Sequence, residues 1–466
     1  MKTLILICAV ILSLNLQASA VIKNVPSQYT TIQAAINASV NGDTILVQPG
    51  TYFENINFRG KRIVLTGSFY QSNNYSLIQT TIINGSTPVY PDSASCVIFN
   101  NREDSATVIQ GFTITGGTGT KWKDEHSPGI YREGGGILSA LSSPVIQFNI
   151  ISGNNSVPGG VESTGGGGIR IGDGYVRVYN NIITNNSSRY GAGVTLNYTG
   201  ADMKNNLIYK NFGASEFGAG AAIWLNGFNA RAVTIINNTL VYNSATSGTG
   251  GLAGLNGASG FFRNNIVWGN TSPNNIQISA SGVTVRYCDV QGGAPGGGNF
   301  NSDPGFDTTN YYIKTNSVCV DKGDSSLIYQ DVPDPNNPSN AKWPSHGTLR
   351  NDVGAYGGPL SKVIAYSVVG VNLISTETPE NFTLSQNYPN PFNPSTNLEF
   401  KIMETGFVSL RVYDELGREV AKLIDEVKSA GVYEVQWNAA GLPSGVYFYR
   451  LTAGNFTDVK KMTLLK

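Results

Sequence analysis

The 466-residue sequence contains few of the residues that build metal sites or disulfide frameworks. It has two histidines, His126 and His346, so a site with several histidine ligands is excluded. Only Cys96, Cys288 and Cys319 follow the N-terminal apolar run, and three cysteines allow at most one disulfide in an exported chain. We expect them to be small buried side chains, and we predict no resident metal or cofactor.

Charge is also scarce. Charged residues make up 13% of the chain, and 31 Lys and Arg balance 31 Asp and Glu. Because nucleic-acid-binding proteins carry an excess of positive charge, this balance argues against a nucleic-acid partner. Beyond the first 20 residues, no apolar run reaches the ~20 residues that a membrane-spanning helix needs, so we expect no span in the mature chain.

Residues 1–20 have the three parts of a secretory signal peptide. Lys2 precedes an apolar run from Leu4 to Leu16, and Ala18-Ser19-Ala20 resembles a cleavage site. We therefore predict a signal peptide over 1–20, cut after Ala20. A membrane anchor is the alternative, but the apolar run is short for one.

The chain has a short phrase that returns five times. Asn149, Asn181, Asn206, Asn238 and Asn265 each precede an apolar pair or a Thr-Leu pair, in steps of 32, 25, 32 and 27 residues. A period of roughly 20 to 50 residues indicates stacked units that share one core. The 55 glycines cluster at the boundaries of these units, as expected for turns between short strands.

Each unit predicts three short strands with bends between them. In Ile169-Arg170-Ile171 the alternation turns both isoleucines inward and Arg170 outward. The equivalent outward residues form one predicted column: Leu138, Arg170, Thr195, Trp224 and Ala253. Asn tolerates the left-handed backbone of a sharp bend, and stacked asparagines can bond along the axis. The pattern predicts a parallel β-helix, with an amphipathic helix capping its N-terminal end from Thr31 to about Gly42.

Several segments resemble the pectin-lyase-like superfamily. They are residues 29–52, Gly111–Gly117, the Asn-Asn-Ile repeats, Asp303–Phe306, Cys319–Asp324 and Asp352–Gly357. This resemblance implies an all-β fold with a right-handed parallel β-helix over residues 21–360. Its members include lyases, hydrolases, epimerases and non-catalytic surface proteins, so it does not define an activity.

The C-terminal part has a different pattern. Residues 361–380 read as a linker, and short alternating strands over residues 381–466 predict a small β-sandwich. Tyr388–Pro394, Val412-Tyr413, Gly417–Val420, Leu442–Tyr447 and Lys460–Met462 closely resemble the type A C-terminal sorting domain of type IX secretion. The resemblance implies that the type IX machinery is a partner, and that the protein is secreted or displayed on the outer membrane of a Gram-negative-type bacterium.

The predicted column and the loops before it contain the candidate site residues. The longest, from Gly116 to Gly135, holds aromatic, cationic and acidic side chains. Such groups stack on sugars, bind uronates and remove the proton beside a carboxylate in β-elimination. We predict catalytic roles for Lys123, His126, Arg170 and Arg189. We predict substrate contacts for Trp122, Glu133, Glu162, Glu216 and Trp224.

Two functions follow from this composition. The first is binding, with cleavage by β-elimination, of an acidic polysaccharide, as in the resembling polysaccharide lyases. The alternative is a non-catalytic adhesin or structural envelope protein that uses the same face. Acidic pairs such as Asp321 and Asp324, or Asp331 and Asp334, keep calcium open as a ligand, although their spacing matches no known calcium loop.

Overall fold

The structure is a computed structural model that describes residues 20–465, except 73, 74, 76, 124, 125, 127, 128, 157–162, 214–219, 228–230, 307–310, 363–370, 376–378, 405, 429, 440 and 441. The predicted signal peptide thus lies, up to residue 19, outside the described residues. So do two candidate site residues, Glu162 and Glu216.

Three long parallel sheets build the N-terminal part, and each complete coil adds one strand to each of them. We name the sheets after the order of strands within a coil. The first-strand sheet contains Ile56–Asn57, Val97–Phe99, Ile137–Ala140, Ile169–Gly172, Val194–Asn197, Ile223–Asn226, Leu252–Leu255 and Ile278–Ser279. The second-strand sheet contains Ile22–Val25, Thr44–Val47, Val64–Gly67, Val108–Gln110, Val145–Gln147, Tyr175–Tyr179, Gly200–Lys204, Val233–Ile236, Gly260–Arg263 and Val283–Arg286.

The third-strand sheet closes each coil. It contains Gly50–Tyr52, Thr81–Asn84, Thr113–Thr115, Ile150–Ser152, Ile182–Thr184, Leu207–Tyr209, Thr239–Val241, Ile266–Trp268 and Asp289–Val290. The inward side chains of all three sheets form one continuous buried cluster. The predicted parallel β-helix is confirmed.

Short elements surround the coils. They are the helices Ile32–Ala38, Phe69–Ser72 and Leu77–Thr80, the 3-10 turn Leu327–Tyr329, and the strands Ser93–Ala94, Gly119–Lys123, Ile130–Glu133, Thr164–Gly165, Ser187–Ser188, Phe212–Gly213, Ser244–Ala245, Pro333–Asp334 and Asn337–Ala341. The first helix is the predicted cap: the Thr31 hydroxyl accepts from Ala34 N at 3.1 Å, and Ile32 and Ile36 are buried against the first coils. It ends at Ala38, before Val40, which is 52% exposed rather than on the buried face.

The Asn repeat has two functions in the bends. The first residue of the pair has a left-handed backbone, with φ of 53° at Asn180 and 55° at Asn205. The second forms a ladder between coils, in which Asn181 Nδ2 donates to Asn206 Oδ1 at 3.0 Å and Asn206 Nδ2 to Asn238 Oδ1 at 2.8 Å. Both expectations are confirmed. A second ladder, not predicted, repeats five residues later through Asn154, Asn186, Asn211, Asn243 and Asn270.

Residues after the last coil fold back over the third-strand sheet. Tyr311, Val353 and Tyr356 bury the outward side chains of Leu207 and Ile266. The left-handed asparagines fix this segment, since Asn205 Nδ2 donates to the carbonyls of Ala355 and Gly357 at 2.9 and 2.7 Å. The third-strand face is therefore covered.

The C-terminal part has its own core and two four-stranded antiparallel sheets. One contains Val371–Ser375, Gly431–Asn438, Ser395–Ile402 and Thr383–Leu384, and the other contains Glu419–Lys428, Gly406–Asp414, Gly445–Ala453 and Phe456–Leu464. The predicted sandwich is confirmed. Val371–Ser375 lies inside the stretch interpreted as a linker, but its backbone pairs with Gly431–Asn438 and extends that sheet.

Candidate functional site

The predicted outward column exists, but it is not open to solvent. Leu138 pairs with Arg170, Arg170 with Thr195, Thr195 with Trp224 and Trp224 with Ala253, in the predicted register. None of these side chains is more than 5% exposed. The column therefore does not line a groove that a polysaccharide can enter.

The long loop before the column covers it as a β-hairpin. Gly119–Lys123 pairs with Ile130–Glu133, and the hairpin continues in a small sheet with Ser93–Ala94 and Thr164–Gly165. Buried Arg132 anchors the hairpin by donating to the carbonyls of Pro91 and Gly119 at 2.9 and 3.0 Å. The predicted loop is thus a lid with fixed contacts.

Under this lid the sequence-predicted residues Glu133 and Arg170 form an ion pair. Glu133 Oε2 lies 2.9 Å from Arg170 Nε, and their side chains are 2% and 0% exposed. Tyr190 donates its hydroxyl to Glu133 Oε1 at 2.6 Å, and its ring centroid lies 4.8 Å from that of Trp224. Burial and the Glu133 carboxylate raise the pKa of Tyr190 well above its usual range.

Two glycines give this cluster its space. A Cβ at Gly172 would lie 2.3 Å from Arg170 Nη1, and a Cβ at Gly165 would lie 2.2 Å from the Tyr190 ring. A side chain at Gly172 would displace the Arg170 guanidinium, and one at Gly165 would displace the Tyr190 ring. The cluster is a fitted, closed packing unit, which explains why its charged and aromatic residues do not face solvent.

The remaining predicted residues lie away from this cluster core. Trp122 and Lys123 are on the first strand of the hairpin, Gly119–Lys123. Trp122 pairs with Tyr131 across the hairpin, and Lys123 is exposed. Arg189 is half-buried beside Tyr190, and its backbone N–H donates to Thr164 O at 3.0 Å.

His126 reaches a different place, the corner between the first and second strands. Its Nε2 lies 2.6 Å from Asp173 Oδ1, and its ring stacks on Tyr198 with centroids 4.0 Å apart and planes inclined by 21°. The His126 side chain is 40% exposed and that of Asp173 is 19% exposed. Unlike Arg170, His126 therefore meets its partners at the surface.

The two partners of His126, Asp173 and Tyr198, line an open cleft of about 430 Å3. It is lined by Ser143, Asp173, Gly174, Tyr175, Tyr198, Gly200 and Arg231. The Ser143 hydroxyl accepts from Tyr175 N at 3.0 Å, which fixes the start of that strand. Exposed Arg231 stands over Gly200, where a Cβ would lie 2.9 Å from Arg231 Cβ and 2.8 Å from the Tyr175 ring. We call this the corner cleft.

Sequence reasoning missed the partners of His126, which the structure places at equivalent corners of successive coils. Asp173 and Tyr198 directly follow the first strands of successive coils, and both have left-handed backbones, with φ of 51° and 52°. Leu141 and Asn256 repeat this conformation at equivalent corners. A non-glycine residue held in this region costs of order 1 kcal/mol or more, and such residues concentrate at functional sites.

The acidic residues considered for calcium lie in the segment that covers the third-strand sheet. Three of their carboxylates accept backbone N–H groups: Asp321 accepts from Thr348 N at 3.0 Å, Asp331 from Asp352 N at 3.1 Å and Asp334 from Asn336 N at 2.9 Å. Asp324 pairs with Arg263. Within the described part of the chain, no three acidic, His or Cys side chains are grouped to hold a metal ion.

The cysteines agree with their predicted place. Cys96, Cys288 and Cys319 are buried and free, and burial raises the pKa of the Cys96 and Cys288 thiols to about 12. Among the described helices, none is long and apolar enough to cross a membrane.

The fold defines the class of protein: a parallel β-helix joined to a small β-sandwich. Residues 386–464 match the family described as the secretion system C-terminal sorting domain. This domain marks the chain for type IX secretion to the cell surface or the extracellular space, as the motifs around Tyr388–Pro394 predicted.

Comparison with solved structures gives distant likenesses only. A PL6 family alginate lyase, AlyGC, is 13% identical over 62% of this chain and 50% of its own, with a TM-score of 0.25. The enzymatically active domain of bacteriophage CBA120 tailspike protein 4 is 13% identical over 90% of this chain and 64% of its own, with a TM-score of 0.22. The chain thus spans about half of the alginate lyase. No curated protein matches the chain significantly.

Proposed function

We propose that this protein is exported through its signal peptide and sorting domain and binds an acidic polysaccharide in the corner cleft. The single observation that supports this most is the surface constellation of His126, Asp173 and Tyr198 at the edge of an open cleft. It combines an aromatic stack, a carboxylate and a titratable ring.

Each lining group has a role in holding a sugar acid. The faces of Tyr175 and Tyr198 offer apolar surface to the C–H groups of a pyranose ring. Asp173 accepts from sugar hydroxyls, and Arg231 gives a charge-assisted pair to a uronate carboxylate. Because the buried Arg170 is neutralised by Glu133, the binding charge comes from the cleft instead. We further propose that the β-helix belongs to the pectin-lyase-like superfamily, supported by its three parallel sheets and Asn ladders.

A matched pair of variants tests the cleft. Tyr198 and Tyr242 are both surface tyrosines at left-handed corners, with φ of 52° and 54°, and Asn tolerates that backbone. We expect Tyr198→Asn to lower retention of the full chain on alginate, pectate or a glycosaminoglycan by about tenfold or more, a loss of ~1.4 kcal/mol. Tyr242→Asn, at the opposite corner, should bind as the natural protein does. Equal retention of both variants would contradict the proposed cleft. If the natural protein is retained on none of these glycans, the remaining function is that of a purely structural envelope protein.

A second candidate function is cleavage by β-elimination at the same place. Its support is the 2.6 Å contact between His126 Nε2 and Asp173, which orients the imidazole. With Nε2 protonated towards Asp173, the imidazole of His126 would act through Nδ1 as the base that takes the proton from the carbon beside the uronate carboxylate. The electron pair then forms a carbon–carbon double bond, and the glycosidic oxygen leaves with a proton from an acid or from water. Arg231 would stabilise the carboxylate as negative charge builds on it.

The two functions differ in turnover. An eliminase releases unsaturated ends that absorb in the ultraviolet, and His126→Gln should abolish that signal while Tyr242→Asn retains it. A flat trace with binding preserved favours the non-catalytic adhesin. Lys123→Gln and Arg189→Gln, which change two other predicted catalytic residues, should leave any turnover unchanged, because His126 and Arg231 carry the proposed step.

A further inference from the structure

The outward face of the second-strand sheet presents a regular set of side chains over five coils. In one row Arg177 pairs with Asp202, followed in register by Thr234, Phe261 and Thr284. The neighbouring row contains Tyr179, Lys204, Ile236, Arg263 and Arg286. The face begins at Tyr175, which also lines the corner cleft. We call these two rows the second-strand face.

This face is open where the other two are covered. Phe261 is 54% exposed in the middle of a strand, and Arg286 is exposed at the last coil. The residues after the last coil border it at two places: Arg263 contacts Asp324 and lies 5.2 Å from the Tyr329 ring, and a Cβ at Gly297 would lie 3.1 Å from Arg286 Nη2. With about half of its area exposed, the Phe261 side chain offers a flat apolar surface to a partner.

The charges of the face are unbalanced. It carries Arg177, Lys204, Arg263 and Arg286 against one carboxylate of its own, Asp202. Asp202 is engaged, because it accepts from Tyr179 at 2.6 Å and from Lys204 at 2.9 Å. Arg177 and Arg286 have no carboxylate partner among the described residues. Each instead lies beside a tyrosine ring, at 5.9 Å from Tyr175 and 5.6 Å from Tyr287 respectively.

We propose that the second-strand face is an extended binding track for a linear acidic polysaccharide that crosses the coils from the corner cleft to Arg286. The inference rests on the proposed function of that cleft and adds a second, distinct contact region. Successive coils lie ~4.8 Å apart, close to the length of one pyranose residue, so each coil meets the next sugar. Arg177 and Arg286 then bind carboxylates at the two ends, roughly 19 Å apart over four steps, and Phe261 stacks between them.

A chain-length series separates the track from the cleft. Calorimetric titration of the full chain with uronate oligosaccharides, from the disaccharide to long chains, should show affinity rising with length until the track is filled. We expect Arg286→Gln and Phe261→Ser each to weaken long chains by about tenfold and to leave the disaccharide unchanged. Lys314→Gln is the matched control, since it removes an exposed cation from the segment over the third-strand sheet.

A second test of the track changes the charge of the polysaccharide. A carboxyl-reduced polymer should not show the rise in affinity with chain length, because its neutral sugars make no ion pairs with the arginines. If affinity does not rise with length, or if Arg286→Gln and Lys314→Gln bind long chains equally, the track is overturned while the cleft stands. If the carboxyl-reduced polymer binds as tightly as the acidic one, the charge assignment is overturned. Failure of every uronate to bind would overturn the proposed function itself.

Discussion

Arg170 and Arg177 belong to the same coil and point outward from adjacent strands, yet they have opposite environments. Arg170 is fully buried and paired with Glu133, whereas Arg177 is half-exposed and faces solvent beside Tyr175. The strand pattern is the same for both. What differs is the loop on each side of the coil, because the hairpin of Gly119–Lys123 and Ile130–Glu133 brings Glu133 onto Arg170, whereas no hairpin of the described residues covers Arg177. Insertions, rather than strand alternation, decide which outward charges remain available to a ligand.

The largest expected effect comes from breaking the buried pair. Arg170→Ala leaves the Glu133 carboxylate buried without its counter-charge, so we expect the free energy of unfolding of the β-helix to fall by about 3–5 kcal/mol. Thermal unfolding followed by circular dichroism measures this. The double variant Arg170→Met with Glu133→Leu should recover much of the loss, since it leaves no uncompensated charge. An unchanged midpoint for Arg170→Ala would show that the lid does not seal this pair.

Substitutions in the Asn ladder should lower the free energy of unfolding by less than Arg170→Ala does, and by an amount that depends on the position in the ladder. Asn206 bonds to coils on both sides, donating to Val178 O at 2.8 Å and Asn238 Oδ1 at 2.8 Å while accepting from Asn181. Asn206→Ala orphans these buried groups and should cost about 2–3 kcal/mol. Asn265 ends the ladder against Cys288 Sγ, at 4.0 Å from its Nδ2, so Asn265→Ala should cost less. Equal unfolding midpoints for the two variants would contradict cooperative stacking.

The covering segment adds a pH dependence that the open face lacks. Burial, together with neighbouring carboxylates, raises the pKa of Asp331 and Asp352 above the usual range. Since the folded state holds these protons more tightly than the unfolded chain, their contribution is present in acid and is lost as pH rises towards about 8. Calorimetric unfolding midpoints should therefore fall between pH 5 and pH 9, by less in Asp331→Asn. A midpoint that rises over this range would reverse the assigned sign.

The smallest expected effect is that of Arg177. Because it lies on an open face with no carboxylate partner in the described part of the chain, Arg177→Ala should change the free energy of unfolding by less than about 0.5 kcal/mol. Measured in the same thermal unfolding experiment, Arg177→Ala is the control for Arg170→Ala. A loss comparable to that of Arg170→Ala would remove the contrast between the two faces.

The fold could be predicted from the sequence because its determinants are local and repeated. The Asn phrase fixed the bends, and the Ile-Arg-Ile alternation fixed the register of the column from Leu138 to Ala253. The sorting domain was likewise recognisable from contiguous motifs. The strand Glu419–Lys428 is harder to predict from the sequence, since its charged residues weaken the alternation.

The exposure of the site could not be predicted in the same way. Whether Arg170 faces solvent depends on where a hairpin 50 residues earlier comes to rest, and no repeat encodes that. His126 was singled out, but its partners Asp173 and Tyr198 lie on later coils and became visible only through stacking of the corners. The second Asn ladder was readable in principle, because it follows the first by five residues in every coil.

The most direct test of the whole account compares Tyr198→Asn with Trp224→Phe for binding of the full chain to an acidic polysaccharide. Tyr198 lines the corner cleft, whereas Trp224 lies 5% exposed in the covered column. Affinity electrophoresis through a gel containing alginate or pectate should show that Tyr198→Asn migrates freely while Trp224→Phe is retarded like the natural protein. Retardation of Tyr198→Asn together with free migration of a folded Trp224→Phe would contradict the account and return the binding site to the covered face.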